Sequence, residues 1–177
     1  MADARLARPS IAHKASYRAC VAEFTACGEP FVPFPLGFPH ENFEALLAQL
    51  GACENGLGIP VGFVPHSTFW LVEGEEVVGV SNLRHHLTDS LRIEGGHIGY
   101  GIRPSARGRG HGTRILALTL AEAARLGIAS ALLTCAKANL ASSAVIRANG
   151  GVLQDETFIE TRDEVVQRWW VPTGAAP

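Results

Sequence analysis

Residues 97–126 constrain this chain more than any other stretch. They run from a strand-like segment, His97-Ile-Gly-Tyr-Gly-Ile102, through Arg103-Pro104 and a glycine-rich loop, Arg107-Gly-Arg-Gly-His-Gly112, into a helix-like segment ending near Leu126. Pro104 has no amide to donate and keeps Arg103 extended, so the strand stops there. Ile115, Leu116, Leu120 and Ala123 share one helical face, and Gly127 supplies a stop. A glycine loop that opens a helix leaves its first backbone N–H groups unpaired, at the end where the macrodipole is positive. Such a cradle suits a phosphate or pyrophosphate. The next apolar run, Ala131 to Thr134, completes a strand–helix–strand unit at 97–134, which is expected to be parallel and right-handed.

The flanking sequence sorts around that unit. Tyr17, Cys20, Val21 and Phe24 form one helical face closed by Gly28; Phe43, Leu46, Leu47 and Leu50 form another, with Gly51 as its expected stop. Between them the prolines and aromatics of residues 30–39 predict an extended, polyproline-like loop with its phenylalanines packed down. Residues 51–66 predict a second irregular segment. Thr68–Glu73 and Val77–Arg84 read as a hairpin across Gly74-Glu75. Residues 85–96 read as a polar connection. Asn139–Ala148 reads as a short helix capped by Asn139 or Ser142 and ended by Gly150-Gly151. Val152–Thr161 and Val165–Val171 read as strands. The order predicts one α/β domain over 1–177 with an ordered core at about 10–171, short tails at 1–9 and 173–177, and a mixed sheet flanked by helices.

Composition narrows the partners. The 177 residues are 47% apolar and 18% charged with net charge −2, so no global field favours nucleic acid or an anionic membrane. No apolar run approaches the roughly 18 residues of a membrane span. The start, Met1-Ala-Asp-Ala-Arg5, lacks a signal-peptide pattern, and the four cysteines (20, 27, 53 and 135) form no CxxC pair; a cytoplasmic chain with reduced thiols is expected.

Other glycine-loop chemistries fit poorly. A Walker-A loop needs Gly-Lys-Ser/Thr at its end, and a Rossmann fingerprint needs GxGxxG after the first strand. A helix start whose glycines merely permit a tight turn is the plain alternative. However, Arg107-x-x-Gly110-x-Gly112 between strand and helix resembles the Arg/Gln-x-x-Gly-x-Gly/Ala motif of the GNAT acyltransferase superfamily. Asn139-x-x-Ser142, 27 residues after Gly112, resembles that superfamily's second motif, and Ile102-Arg103-Pro104 its entry to the loop. Thr68-Phe-Trp-Leu-Val72, Leu83-Arg-His-His-Leu87 and Gly95-Gly-His-Ile-Gly-Tyr100 look like a bacterial subgroup of predicted acetyltransferases. The resemblance covers about residues 10–171.

That resemblance implies a GNAT-type fold with a central, mostly antiparallel sheet, and acetyl-CoA as co-substrate. It implies that backbone amides of Gly108, Arg109, Gly110, His111, Gly112 and Thr113 hold the pyrophosphate and that Arg107 anchors the loop. Ile102 and Arg103 would pair with the pantetheine arm, and Asn139 and Ser142 would flank the coenzyme. Arg103, Arg107, Arg109 and Arg114 would gather positive charge near the 3′-phosphoadenosine end. The implied activity is N-acetyl transfer to a primary amine of a small molecule or peptide, by direct attack in a ternary complex. No metal is expected: His85, His86 and His97 lack a convincing third ligand.

Amine acetylation needs a polarised thioester, a base and a leaving thiolate. His97 is the leading base candidate. Strand alternation sets it with Gly99, Gly101 and Arg103 on one face, where the glycines leave room, although a bulge is expected in this strand. The alternative is a histidine bridging the strand to a neighbouring segment. Glu94 is the second base candidate, against a solvated loop carboxylate. His111 reads as a solvent-facing loop residue and Cys135 as a small core hydrophobe. One departure stands out. The superfamily's frequent tyrosine, seven residues after the asparagine, is Ile146 here, so Tyr100, Ser142, Ser143 or water must serve the thiolate, or no acid is needed. A non-catalytic acyl-CoA-binding sensor is the rival function, and a nucleic-acid-binding module built on the four arginines the third. Phe31, Phe34 and Phe38 either line an acceptor pocket or pack the loop. Trp169-Trp170 serves either a homodimer edge or the core.

Overall fold

The computed structural model describes residues 4–174. Seven strands are β1 (Arg5–Ala7), β2 (His66–Glu73), β3 (Glu76–Arg84), β4 (Ile98–Ile102), β5 (Ser130–Ala136), β6 (Val152–Ile159) and β7 (Glu164–Pro172). Five helices are α1 (Lys14–Ala26), α2 (Phe43–Glu54), α3 (Asp89–Ile93), α4 (His111–Arg125) and α5 (Leu140–Ala148).

The strands form two sheets, β1-β2-β3-β4 and β5-β7-β6, and every pairing is antiparallel. The parallel pairing expected within 97–134 is absent: β4 and β5 share no ladder and end up in different sheets. They touch where the His97 amide donates to the Leu132 carbonyl at 2.7 Å. Beyond that point β4 and β5 exchange no backbone hydrogen bond among the described residues, and this unpaired interval is the gap along which β4 forms one rim.

Both faces of the first sheet are covered, which explains why His66–Val72 is buried at every position rather than at alternate ones. On one side Tyr17, Cys20, Val21 and Phe24 of α1 and Phe43, Leu46 and Leu50 of α2 pack against Trp70, Val72 and Val80. Tyr17 stacks on Trp70 at 4.5 Å between ring centroids. On the other side Leu116, Leu120 and Ala123 of α4 meet Phe69, Leu83 and Ile98, joined by Leu133, Ile146 and Trp169 from the second sheet and α5. Trp169 therefore belongs to the core, while Trp170 donates from Nε1 to Gln154 Oε1 at 2.6 Å.

Several expectations change. Helix α2 runs through Gly51 to Glu54, burying Cys53 as the next residue of its stripe. The 30–39 loop contains a 3-10 turn at Phe34–Gly37 and is anchored by the fully buried Leu36; Phe31 stays 36% exposed. The 85–96 connection holds α3, capped by Thr88 Oγ1 accepting from the Leu91 amide. The expected N-terminal tail supplies β1 instead; residues 1–3 and 175–177 lie outside the described residues. β4 pairs with β3 in unbroken register, so the expected bulge is absent there; register shifts fall at Leu71/Val72 and Leu153/Asp155.

Candidate functional site

The loop after β4 has the form of an anion cradle. Gly108 and Gly110 take positive φ, 75° and 81°, which an L side chain resists. A Cβ on either would meet nothing within 4 Å, so the concave side of the loop is open. Among the described residues, none of the six amides from Gly108 through Thr113 donates to a protein acceptor; the first helical bond of α4 runs from the Arg114 amide to the Gly110 carbonyl at 3.1 Å. Consecutive unpaired amides at the start of a 15-residue helix fit a pyrophosphate. Gly112 serves packing: its Cβ would come within 3.0 Å of Val145 Cγ2 on α5.

Three of the four arginines expected to gather positive charge at the loop are ion-paired within the chain. Arg103 pairs with Glu23 at 2.6 Å, and Glu23 also accepts from the amide and hydroxyl of Ser105. Arg107 makes a bidentate pair with Glu29 at 2.7 and 2.6 Å and donates from Nε to the Ile102 carbonyl. Arg109 pairs with Glu73 at 2.7 Å. Arg114 donates from Nε to the Ala4 carbonyl. With three arginines matched by glutamates, anion attraction rests mainly on the amides and the helix end. Arg107 holds the Glu29 carboxyl below the usual carboxylate range. His111, expected in solvent, is only 6% exposed: it starts α4, and its Nε2 has no hydrogen-bond partner among the described residues and lies 3.8 Å from Glu73 Oε2.

The rim beside the cradle follows from register. Arg84 donates to the His97 carbonyl and Arg103 to the Val78 carbonyl, so Gly99 and Gly101, of the same parity, turn their backbone groups toward β3. Ile98, Tyr100 and Ile102 therefore turn theirs toward the gap. Of the two residues expected to pair with a pantetheine arm, Ile102 presents its amide there, whereas the Arg103 amide is engaged in the sheet. Across the gap, Asn139 caps α5 by accepting from the Ser142 amide at 3.0 Å. Ser142 Oγ lies 3.1 Å from Tyr100 Oη, a contact that joins α5 to β4. Burial, the largest cause, raises the Tyr100 phenol to about 12, so it stays a proton donor. Ile146 is fully buried in the core.

His97 bridges the two sheets. Its Nδ1 accepts from the Leu132 amide at 2.9 Å, so the neutral ring carries its proton on Nε2. Burial first, then Arg92, Arg84 and His86, pull its pKa down to about 4. The open glycine face expected beside it is filled: a Cβ on Gly101 would fall 2.1 Å from the Val32 carbonyl oxygen, and one on Gly99 would sit 3.5 Å from Pro33 Cβ. Glu94 is half-buried and paired with Arg162 on the β6–β7 turn.

At the far end of β4 from the cradle lie two adjoining clefts between the 30–39 and 55–65 segments. The larger, about 280 Å³, is walled by Phe34, Phe63, Val64, His66, Arg84 and Leu91; the smaller shares Phe34, Phe63 and His66 and adds Phe38. Phe34 and Phe38 thus line a cleft and Phe31 does not. His66 and Arg84 were not singled out by sequence, because His66 reads as the end of the irregular 51–66 segment and Arg84 as the last residue of an ordinary strand. His66 is 1% exposed, its Nδ1 accepts from Asn82 Nδ2 at 2.8 Å, and burial, with Arg84 and His85, lowers its pKa to about 4.

Residues 15–152 match the family model described as acetyltransferase (GNAT) domain. No match is found among curated proteins. Among solved structures, the chain resembles a ribosomal L7/L12 alpha-N-protein acetyltransferase in complex with coenzyme A, with TM-score 0.72, 18% identity and 99% and 97% of the two chains covered. It resembles an acetyl transferase from Salmonella typhimurium that modifies the N-terminal serine of that ribosomal protein, with TM-score 0.69, 17% identity and 97% and 96% coverage. It also resembles a spermidine N-acetyltransferase from Vibrio cholerae, with TM-score 0.62, 15% identity and 96% and 95% coverage.

Proposed function

The chain belongs to the GNAT acetyltransferase family, and on that premise we propose that it transfers an acetyl group from acetyl-CoA to a primary amine by direct attack in a ternary complex. The observation that carries the proposal is the run of six amides at Gly108–Thr113, which find no acceptor among the described residues, set at the end of a rim whose own outward amides likewise have none there. The cradle holds the pyrophosphate. Tyr100 and Ile102 of the rim offer backbone N–H groups to the pantetheine arm and the thioester carbonyl, where one donor stabilises the developing oxyanion. The amine lone pair attacks the carbonyl carbon, the C–S bond breaks, the nitrogen gives up its second proton, and the thiolate receives one by way of the Tyr100–Ser142 hydroxyl pair.

His97 acts in this scheme as a bridge rather than a base, since its Nδ1 is committed to Leu132 and its pKa lies well below neutrality. Glu94, held by Arg162, is placed no better. The ammonium therefore loses its proton to water before attack, so kcat/KM rises with pH up to the pKa of the acceptor amine.

Ile146 in the core favours one rival, an acyl-CoA-binding sensor without turnover. Screening amines for release of free CoA separates the two. Release with at least one class of amine supports the transferase; acetyl-CoA binding without release from a broad panel supports the sensor.

A further inference from the structure

Arg84 is the one arginine of the larger cleft, and its surroundings are unusual. Its Nη1 donates to the carbonyls of Gly95 at 2.9 Å and Gly96 at 3.0 Å. Among the described residues no carboxylate lies within ion-pair distance of it, whereas Arg103, Arg107, Arg109, Arg162 and Arg168 each have one; Arg5, Arg18, Arg92 and Arg147 also lack one, but three of them are exposed and none lines a cleft. Neither cleft has an aspartate or glutamate in its wall. A guanidinium carries five donors in a fork that matches a carboxylate. Burying it without a counter-ion is costly, and a partner molecule that brings one removes that cost.

The rest of the wall matches the other half of such a molecule. Phe34 meets Phe63 and His66 edge-on, with centroids 5.4 and 5.0 Å apart, and Val64 and Leu91 complete an apolar lining. Neutral His66, whose Nδ1 accepts from Asn82, keeps its Nε2 proton as a further donor. The volume, about 280 Å³, lies at the small end of ligand sites and suits one small molecule. The Arg84 amide binds the His97 carbonyl at 2.8 Å, so the cleft sits at the end of β4 opposite the amide cradle.

We infer that this cleft selects the acceptor by a carboxylate: the substrate is an amine of amino-acid size with an apolar body, and Arg84 is the counter-ion that orients it. A polycationic amine would meet a cation and no carboxylate. The amine half of this statement rests on the transferase reading; the carboxylate half does not.

The test is calorimetric titration of the protein, both free and in the presence of saturating CoA, with hydrocinnamate, its neutral amide and phenethylamine. Hydrocinnamate should bind at least tenfold more tightly than the other two. Arg84→Met should erase that difference, and Arg84→Lys, which keeps the charge and can still reach the glycine carbonyls, should retain most of it. Because Arg84→Met can disturb the Gly95–Gly96 turn, the wild-type comparison of acid and amide decides on its own. Equal binding of the two, or no binding of the acid at millimolar concentration, overturns the inference. A parallel turnover assay should give higher kcat/KM with L-phenylalanine than with phenethylamine or spermidine, and the reverse order also overturns it. Loss of acetyl-CoA binding would defeat the transferase reading while leaving the acid titration interpretable.

Discussion

Mild acid should destabilise this protein through two buried histidines. His66 and His97 are both lowered from 6.5 to about 4, chiefly by burial, so each is neutral in the folded state where the unfolded chain would protonate. The unfolded state therefore binds more protons between those values, and stability falls as pH drops through the unfolded pKa toward the folded one. Relative to pH about 7.5, each histidine costs about 1.4 kcal/mol at pH about 5.5, or about 3 kcal/mol for the pair. For a chain of this length that is a fall in Tm of about 6–12 °C. His85 shifts in the same direction. The ion-paired carboxylates Glu23 and Glu29 are lowered, so what they contribute is lost only below their unfolded value of 4.5, outside this window. Scanning calorimetry at the two pH values measures the difference. His97→Ala should remove about half of the pH dependence and also cost about 1–3 kcal/mol at neutral pH, because the Leu132 amide loses its acceptor. A Tm that changes by less than about 2 °C between the two pH values would refute the assignment of these imidazoles as buried and neutral.

Three further outcomes follow from local geometry. Gly101→Ala should cost about 1–3 kcal/mol in chemical denaturation, because its methyl would fall 2.1 Å from the Val32 carbonyl oxygen and displace the 30–33 segment. Tyr100→Phe should lower kcat about tenfold with little change in acetyl-CoA affinity, as read from initial rates and calorimetry; an unchanged kcat would remove the Tyr100–Ser142 pair from thiolate protonation. Glu29→Gln, which releases Arg107 from an exposed pair, should change stability by less than about 1 kcal/mol and raise acetyl-CoA affinity at low salt.

The elements with strong local signals were legible from sequence. α1, α4 and α5 each show a helical apolar stripe or a cap, and Gly28, Gly127 and Gly150 all take the positive φ that ends a helix. The strand-stopping Pro104 and the open glycines of the cradle were legible for the same reason: their conformations are set within a few residues. What depended on distant partners was not. β1 is three residues without a period, and it exists because Trp70, Leu71 and Val72 offer an edge. The separation of β4 from β5 has no local signature. His97 looked like a base because its strand is glycine-rich; its actual partner, Leu132, lies 35 positions away. The loop arginines looked free because Glu23, Glu29 and Glu73 come from other parts of the chain.

Calorimetric titration of acetyl-CoA into the wild type and into Gly110→Asp asks whether the Gly108–Thr113 amides hold the acetyl donor. A Cβ at Gly110 meets no neighbour within 4 Å, but its positive φ strains any side chain, so Gly110→Asn, equally strained and uncharged, is the control for the carboxylate. Wild-type binding with Kd below about 1 mM and at least a tenfold loss in Gly110→Asp, about 1.4 kcal/mol, are expected. No binding by the wild type at millimolar concentration, or equal binding by both proteins, would contradict it.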